Sequence, residues 1–245
     1  MFKIGKVSYL NTLPLFYKFR DPRIELVEGH PSQLVSLLRE GKIQAGIVSS
    51  VEYLLRPDQY RIIPNISISS RERACSVAIF STKPLVELKK VYLTPASLTS
   101  KYLCFYVLEE IYKLNPIYTE NKEEADAFLL IGDEALSTKA QKLYPYIYDL
   151  AQEWFKVHKL PFVFALFLVR SDAPQYLDEL IENLVSLSLE AFYKDLEEGK
   201  IEIEGYSKEE LKEYLTECLS NSLGERELLS LDIFKRFLEI KALLV

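Results

Sequence analysis

The segment PFVFALFLVR, residues 161–170, decides the architecture. It reads as a strand too apolar to leave one face in water, so both faces must be covered. A second strand of this kind, CSVAIFS, occupies residues 75–81. Between them lies a block with its own β-α-β-α rhythm. It has a strand at 90–94, a helix led in by Ser97-Leu98-Thr99-Ser100 and running to Tyr112, a short strand at 117–119, and a strand at 127–131 ending in Gly132-Asp133. Leu103, Val107, Leu108 and Ile111 give that helix one apolar face. The chain before residue 75 alternates in the same way. Strands at 2–7, 24–28 and 44–48 are interleaved with a turn containing Pro14, a helix opened by Pro31 and stopped at Gly41, and a short helix at 51–55 behind Ser49-Ser50. A strand at 62–68 follows. After Pro174, leucines at three- and four-residue spacing predict helices over 174–198, 207–220 and 225–241, and no further strand. Such alternation predicts an α/β fold with parallel sheets covered by helices. The two apolar strands are then the crossings between two lobes. Lobe one takes residues 1–81 and 171–245, with the C-terminal helices packed on it, and lobe two takes residues 82–170. A central cleft lies between them.

Composition narrows the function classes. Hydrophobic residues make up 49% and charged residues 27%, which suits a chain with a real core and not a disordered one. The 36 acidic and 30 basic residues leave a net charge of −6, and no Lys/Arg run stands out, so no nucleic-acid partner is expected. The longest apolar run, residues 160–169, is too short to cross a bilayer, so no membrane partner is expected either. The N-terminal MFKIGKVSYL has no apolar h-region and no small-residue cleavage site, which points to a cytoplasmic protein. Cys75, Cys104 and Cys218 are odd in number and widely spaced, and read as reduced, buried small hydrophobes. With His30 and His158 as the only histidines, and no metal-ligand spacing between them, a His-rich metal site or a Ser-His-Asp triad is hard to build. No GxGxxG or GxxxxGK[ST] occurs. We expect no metal and no cofactor, and the pattern carries no information on oligomeric state.

Open α/β sheets bind ligands at the carboxyl ends of their strands. Four such junctions carry small hydroxyl or amide residues: Ser8-Tyr9-Leu10-Asn11-Thr12, Ser49-Ser50, Ser97-Leu98-Thr99-Ser100 and Ile131-Gly132-Asp133. Ser76 opens the first crossing strand. Singly, each junction is an ordinary cap or turn. Together they face one cleft, and helix N-termini can hold a carboxylate there without Lys or Arg.

The stretch Val7-Ser8-Tyr9-Leu10-Asn11-Thr12-Leu13-Pro14-Leu15 resembles the N-terminal VSYLNTxPL signature of the chorismate dehydratase family, which acts in the futalosine route to menaquinone. Further matches follow in order: Ser49-Ser50-Val51-Glu52-Tyr53, Ser76-Val77 with Phe80-Ser81, Thr99-Ser100, the run from Leu129 to Leu136, Asp149-Leu150 with Trp154, and the run from Leu160 to Ala165. The resemblance covers roughly residues 3–170. It departs from the family pattern at His158-Lys159, where Thr-Gly is usual, and at Phe167, where Trp is common.

The reaction this resemblance implies removes water from chorismate, giving 3-[(1-carboxyvinyl)oxy]benzoate. The ring hydrogen beside the ether is vinylogously acidic, and loss of the neighbouring hydroxyl yields an aromatic ring. Neither redox chemistry nor a metal is required. The enolpyruvyl carboxylate lies close to that proton, so the substrate can supply its own base. The protein then orients the substrate and stabilises charge with dipoles. In this reading Asn11 is the catalytic polar group beside the reacting carbons. Ser8, Tyr9, Thr12, Ser49, Ser50, Ser76, Thr99, Ser100, Gly132 and Asp133 bind substrate, with Ser76 and Thr99-Ser100 holding carboxylates. Glu52 and Asp133 are candidate acid/base groups, although Glu52 also fits the Glu of a capping box and Asp133 a loop role. Tyr9 suits either core or site. Trp154, Phe162 and Phe164 read as core. The two-lobed architecture is also that of type II periplasmic solute-binding proteins, so a non-enzymatic binder of small carboxylates is the competing class.

Overall fold

The computed structural model describes residues 1–242. Residues 243–245, assigned above to lobe one, lie outside the described residues. In chain order the first part holds β1 (Phe2–Val7), a 3-10 turn (Leu10–Thr12), α1 (Leu13–Phe16), β2 (Ile24–Gly29), α2 (Pro31–Arg39), β3 (Ala45–Ser49), α3 (Ser50–Leu55) and β4 (Tyr60–Ser70). The middle holds β5 (Val77–Ser81), β6 (Lys90–Leu93), α4 (Leu98–Phe105) continued by a π turn (Tyr106–Ile111), β7 (Ile117–Thr119), β8 (Ala127–Ile131), α5 (Gly132–Ala140), β9 (Tyr146–Asp149) and α6 (Leu150–His158). The chain ends with β10 (Val163–Arg170), α7 (Tyr176–Glu197), α8 (Lys208–Lys212) running into a second π turn (Glu213–Cys218), β11 (Leu219–Ser220) and α9 (Glu225–Ala242).

Two sheets form the two lobes. The first has the order β11-β4-β10-β3-β1-β2, the second β7-β6-β8-β5-β9. β1 runs parallel to β2 and β3, and β6 runs parallel to β7 and β8, as the alternating pattern predicts. β10 is antiparallel to β3 and β4, and β5 is antiparallel to β8 and β9. Every residue of β3 and β5 is buried, the mark of strands covered on both faces.

The two apolar strands do not themselves cross between lobes. β5 pairs inside the second sheet and β10 inside the first. Each is a central strand, so both rows of its backbone groups are already used within one sheet. The chain changes lobes beside them, through residues 71–76 and 159–162. These crossings meet at Ser70 and Phe162. Ser70 N donates to Phe162 O at 2.8 Å and Phe162 N donates to Ser70 Oγ at 2.9 Å. The sequence pattern predicts neither β9 nor α6, and the helix expected over 207–220 ends before β11, which pairs with β4.

The C-terminal helices pack on lobe one, α7 against α1 and β4, α9 against α3 and β10. α9 also reaches the other lobe. Phe234 meets Trp154 of α6, and Phe237 meets Tyr106 edge-on at 5.1 Å. Trp154 and Phe162 are fully buried in this cluster, as expected of core. The cysteines depart from expectation. Cys75 and Cys218 form a disulfide, and Cys104 alone is free and buried. Their separation of 143 residues hides the pair from any spacing argument. Only the tertiary fold brings the first crossing against the second π turn.

Candidate functional site

A cavity opens between the sheets where the parallel strands end. Tyr9, Asn11 and Thr12 follow β1, Ser49 closes β3, and Gly132 follows β8. Ser97 and Ser100 come from the start of α4, Ala74 and Ser76 from the first crossing, and Phe164 and Ala165 from β10. The wall is mostly apolar, with hydroxyls and one amide set into it. Among the described residues no Asp, Glu, Lys, Arg or His lines it.

Of the residues singled out in the sequence, Tyr9, Asn11, Thr12, Ser49, Ser76, Ser100 and Gly132 are brought together on this wall. Asn11 Oδ1 is buried and meets no donor among the described residues. It caps neither the 3-10 turn nor α1. Thr12 Oγ1 is turned inward, donating to Val7 O at 2.6 Å and Tyr9 O at 2.9 Å, so it shapes the loop that presents Asn11. Ser97 caps α4 by accepting from Ser100 N at 3.2 Å. Gly132 sits at φ +57°, a conformation that favours glycine, and a Cβ there would meet the Tyr9 ring at 3.2 Å. It thus allows close approach of the two lobes.

Four expected site residues do not reach the wall. Ser8 is exposed and donates to Glu28 Oε2 at 3.2 Å on the outer face, because successive residues leaving a strand point to opposite sides. Ser50 Oγ donates to Val163 O at 2.8 Å. Thr99 is buried between the lobes. Its Oγ1 bonds Ser49 Oγ and accepts from Val51 N at 3.3 Å, while its own N–H donates to Ser49 Oγ at 3.0 Å. Asp133 Oδ1 accepts from Leu10 N at 3.3 Å across the cleft mouth. Burial pushes the Asp133 carboxyl above the ordinary range, against the pull of that N–H. Glu52 is neither a capping-box member nor a cleft group. It is fully buried and paired with Arg39 and Arg56. Phe164, read as core, does line the cavity.

Two residues to which the sequence reading gives no role in the site hold the first crossing in place. Asp149 accepts from Ala74 N at 3.1 Å, from Cys75 N at 2.7 Å and from Gln152 N at 3.1 Å, so one carboxylate caps α6 and fixes the loop that carries Ser76. Tyr214, in the second π turn, donates its hydroxyl to Ser76 Oγ at 2.7 Å. Burial raises the Tyr9 phenol, with Asp133 and Glu134 adding to the shift, so Tyr9 stays protonated near neutrality.

The family model for menaquinone biosynthesis matches residues 2–239. The chain belongs to the menaquinone biosynthesis family. Its similarity extends to a Thermus thermophilus protein named chorismate dehydratase, at 30% identity over 191 residues, covering 70% of each chain. Among solved structures, an Archaeoglobus fulgidus protein superposes with a TM-score of 0.75 at 17% identity, covering 98% of this chain and 97% of that one. A Candida albicans protein described as having the generic periplasmic binding protein fold gives 0.70 at 12% identity, covering 98% and 90%. These two likenesses establish the two-lobed fold. This member's departures from the usual motif lie away from the cavity wall. His158 Nε2 bonds Tyr106 Oη at 2.8 Å beside Trp154, and Phe167 is buried against Phe16 in lobe one.

Proposed function

We propose that this protein is a lyase, a chorismate dehydratase that forms 3-[(1-carboxyvinyl)oxy]benzoate and water, with the substrate as its own base. The observation that carries the reading is a cavity wall without a charged side chain around one unpartnered acceptor, Asn11 Oδ1. With both carboxylates ionised, chorismate offers a single hydrogen-bond donor, the ring hydroxyl that leaves. That hydroxyl satisfies Asn11, and the bond fixes the departing oxygen against the ring. The carboxylates meet donors instead: Ser76, and the start of α4, whose dipole favours negative charge. The enolpyruvyl carboxylate takes the ring proton, the electron pair moves toward the ring carboxylate, and hydroxide leaves to collect that proton as water. The name of the Thermus relative supports the same assignment.

A cytoplasmic location belongs to this reading. The Cys75–Cys218 bond bears against it, since disulfides are rare in that compartment outside hyperthermophiles. The competing reading, a non-enzymatic carboxylate binder, is favoured by the likeness to the periplasmic binding protein fold. Incubation with chorismate separates the two. An enzyme gives an aromatic product with a changed ultraviolet spectrum and a benzoate on chromatography. A melting shift with chorismate recovered intact assigns the chain to the binders.

A further inference from the structure

Ser76 lines the cavity from the first crossing, and the groups around its hydroxyl decide what that hydroxyl can do. Tyr214 is 5% exposed, and its phenol makes one hydrogen bond among the described residues, to Ser76 Oγ. A buried phenol needs an acceptor for its hydrogen. Ser76 Oγ therefore accepts from behind and keeps its own hydrogen to give. Within the chain that hydrogen reaches Ala74 O at 3.5 Å, the outer limit for such a bond. The better direction is into the cavity. Both ends of the contact are fastened by neighbours. Asp149 holds the N–H groups of Ala74 and Cys75, and the disulfide joins Cys75 to Cys218, one helical turn beyond Tyr214.

We propose that Tyr214 is a positioning residue that makes Ser76 a one-way donor to a carboxylate of the bound substrate. The proposal rests on the dehydratase reading for the identity of that substrate. A lone serine hydroxyl rotates freely between donor and acceptor roles. Ser76 with Tyr214 behind it is preset, and its donated bond is strengthened by the one it accepts. The carboxylate is already charged when the substrate binds, so loss of the contact weakens binding and raises KM.

The test is a double-mutant cycle on the full chain, with Ser76→Ala, Tyr214→Phe and the pair, following KM, kcat and melting temperature. Ser76→Ala is expected to raise KM for chorismate about 10- to 100-fold, the loss of one hydrogen bond to a charged group. Tyr214→Phe should raise KM roughly three- to tenfold in the parent and not at all when Ser76 is already Ala, because the phenol acts through Ser76. A structural role for Tyr214 predicts a fall in melting temperature and the same penalty in both backgrounds. Equal penalties in a parent that converts chorismate overturn this inference alone. A parent that neither binds nor converts chorismate overturns the dehydratase reading, and the inference with it.

Discussion

At the scale of single residues, Asn11 separates two readings that the sequence left side by side. As a helix cap, its loss would cost about 0.5–2 kcal/mol of stability. The structure removes that reading, since Asn11 caps nothing and its Oδ1 is buried without a donor. An unsatisfied buried acceptor carries a penalty of about 1–3 kcal/mol. Asn11→Ala should therefore melt at or above the parental temperature while losing roughly 10²-fold in turnover, since the departing hydroxyl is no longer held in place. Melting and product formation measured on one preparation check this, and a lower melting point with parental turnover would sink the assignment. The place of Asn11, Ser76 and Gly132 on the cavity wall was legible because strand ends announce themselves through apolar runs broken by small polar residues. Ser50 and Thr99 carry the same signal but turn inward, a choice set by packing between lobes. Tyr214 lies 138 residues from Ser76 and sits in a helical pattern that marks it only as one more amphipathic position.

Among the elements, α3 shows how one charged residue ties neighbours together. Its first-turn Glu52 is fully buried, accepts from Arg39 Nε of α2 at 2.9 Å and from Tyr60 Oη of β4 at 2.7 Å. Burial pushes the carboxyl up, but the hydrogen bonds from Arg39 and Tyr60 and the charges of Arg39 and Arg56 outweigh it and hold it below its ordinary 4.5. Burial, with the same contact adding to it, pushes Tyr60 up to about 12. A carboxyl lower in the folded than in the unfolded chain stabilises above the unfolded value, and that contribution is lost as pH falls through the folded one. Glu52→Gln should thus cost about 1.5–3 kcal/mol near neutrality, roughly 3–12 °C in melting temperature for a chain of this size. The difference should shrink steadily below pH 4.5. Calorimetry of both chains across that range checks it, and a gap that stays constant into acid would show that Glu52 acts by shape alone. The end of α6 was not legible, but it gives one departure from the family motif a structural meaning. Lys159, standing where the family usually has glycine, adopts φ +56°, so the motif's Gly marks a left-handed cap that this chain fills with a strained lysine.

For the whole molecule, the expected cleft exists, but what holds its mouth was not legible, because it depends on which groups from distant segments meet. The contacts that span it include the Tyr9 ring against Gly132, Leu10 N to Asp133, and Ser49 with Thr99. Behind the cleft, α9 covers the junction with the Phe234 and Phe237 contacts to lobe two. The balance is uneven. Apolar burial at the back resists separation, whereas each hydrogen bond at the front is worth only about 0.5–1.5 kcal/mol net. The mouth should therefore be the side that opens to admit a ligand, with α9 and the two crossings as the side that bends. A ligand touching Asn11 in one lobe and Ser100 in the other adds contacts that exist only when the mouth is shut, so binding shifts the population to the closed form. Small-angle scattering should show a smaller radius of gyration with saturating product than without it. Asp133→Ala removes one front contact and leaves the back intact. It should enlarge the ligand-free radius, leave the ligand-bound radius unchanged and weaken binding by the difference. An identical radius for all four samples, at confirmed saturation, would mean that the lobes behave as one rigid body and that the substrate enters by local movement of the loops around Tyr9 and Ser97.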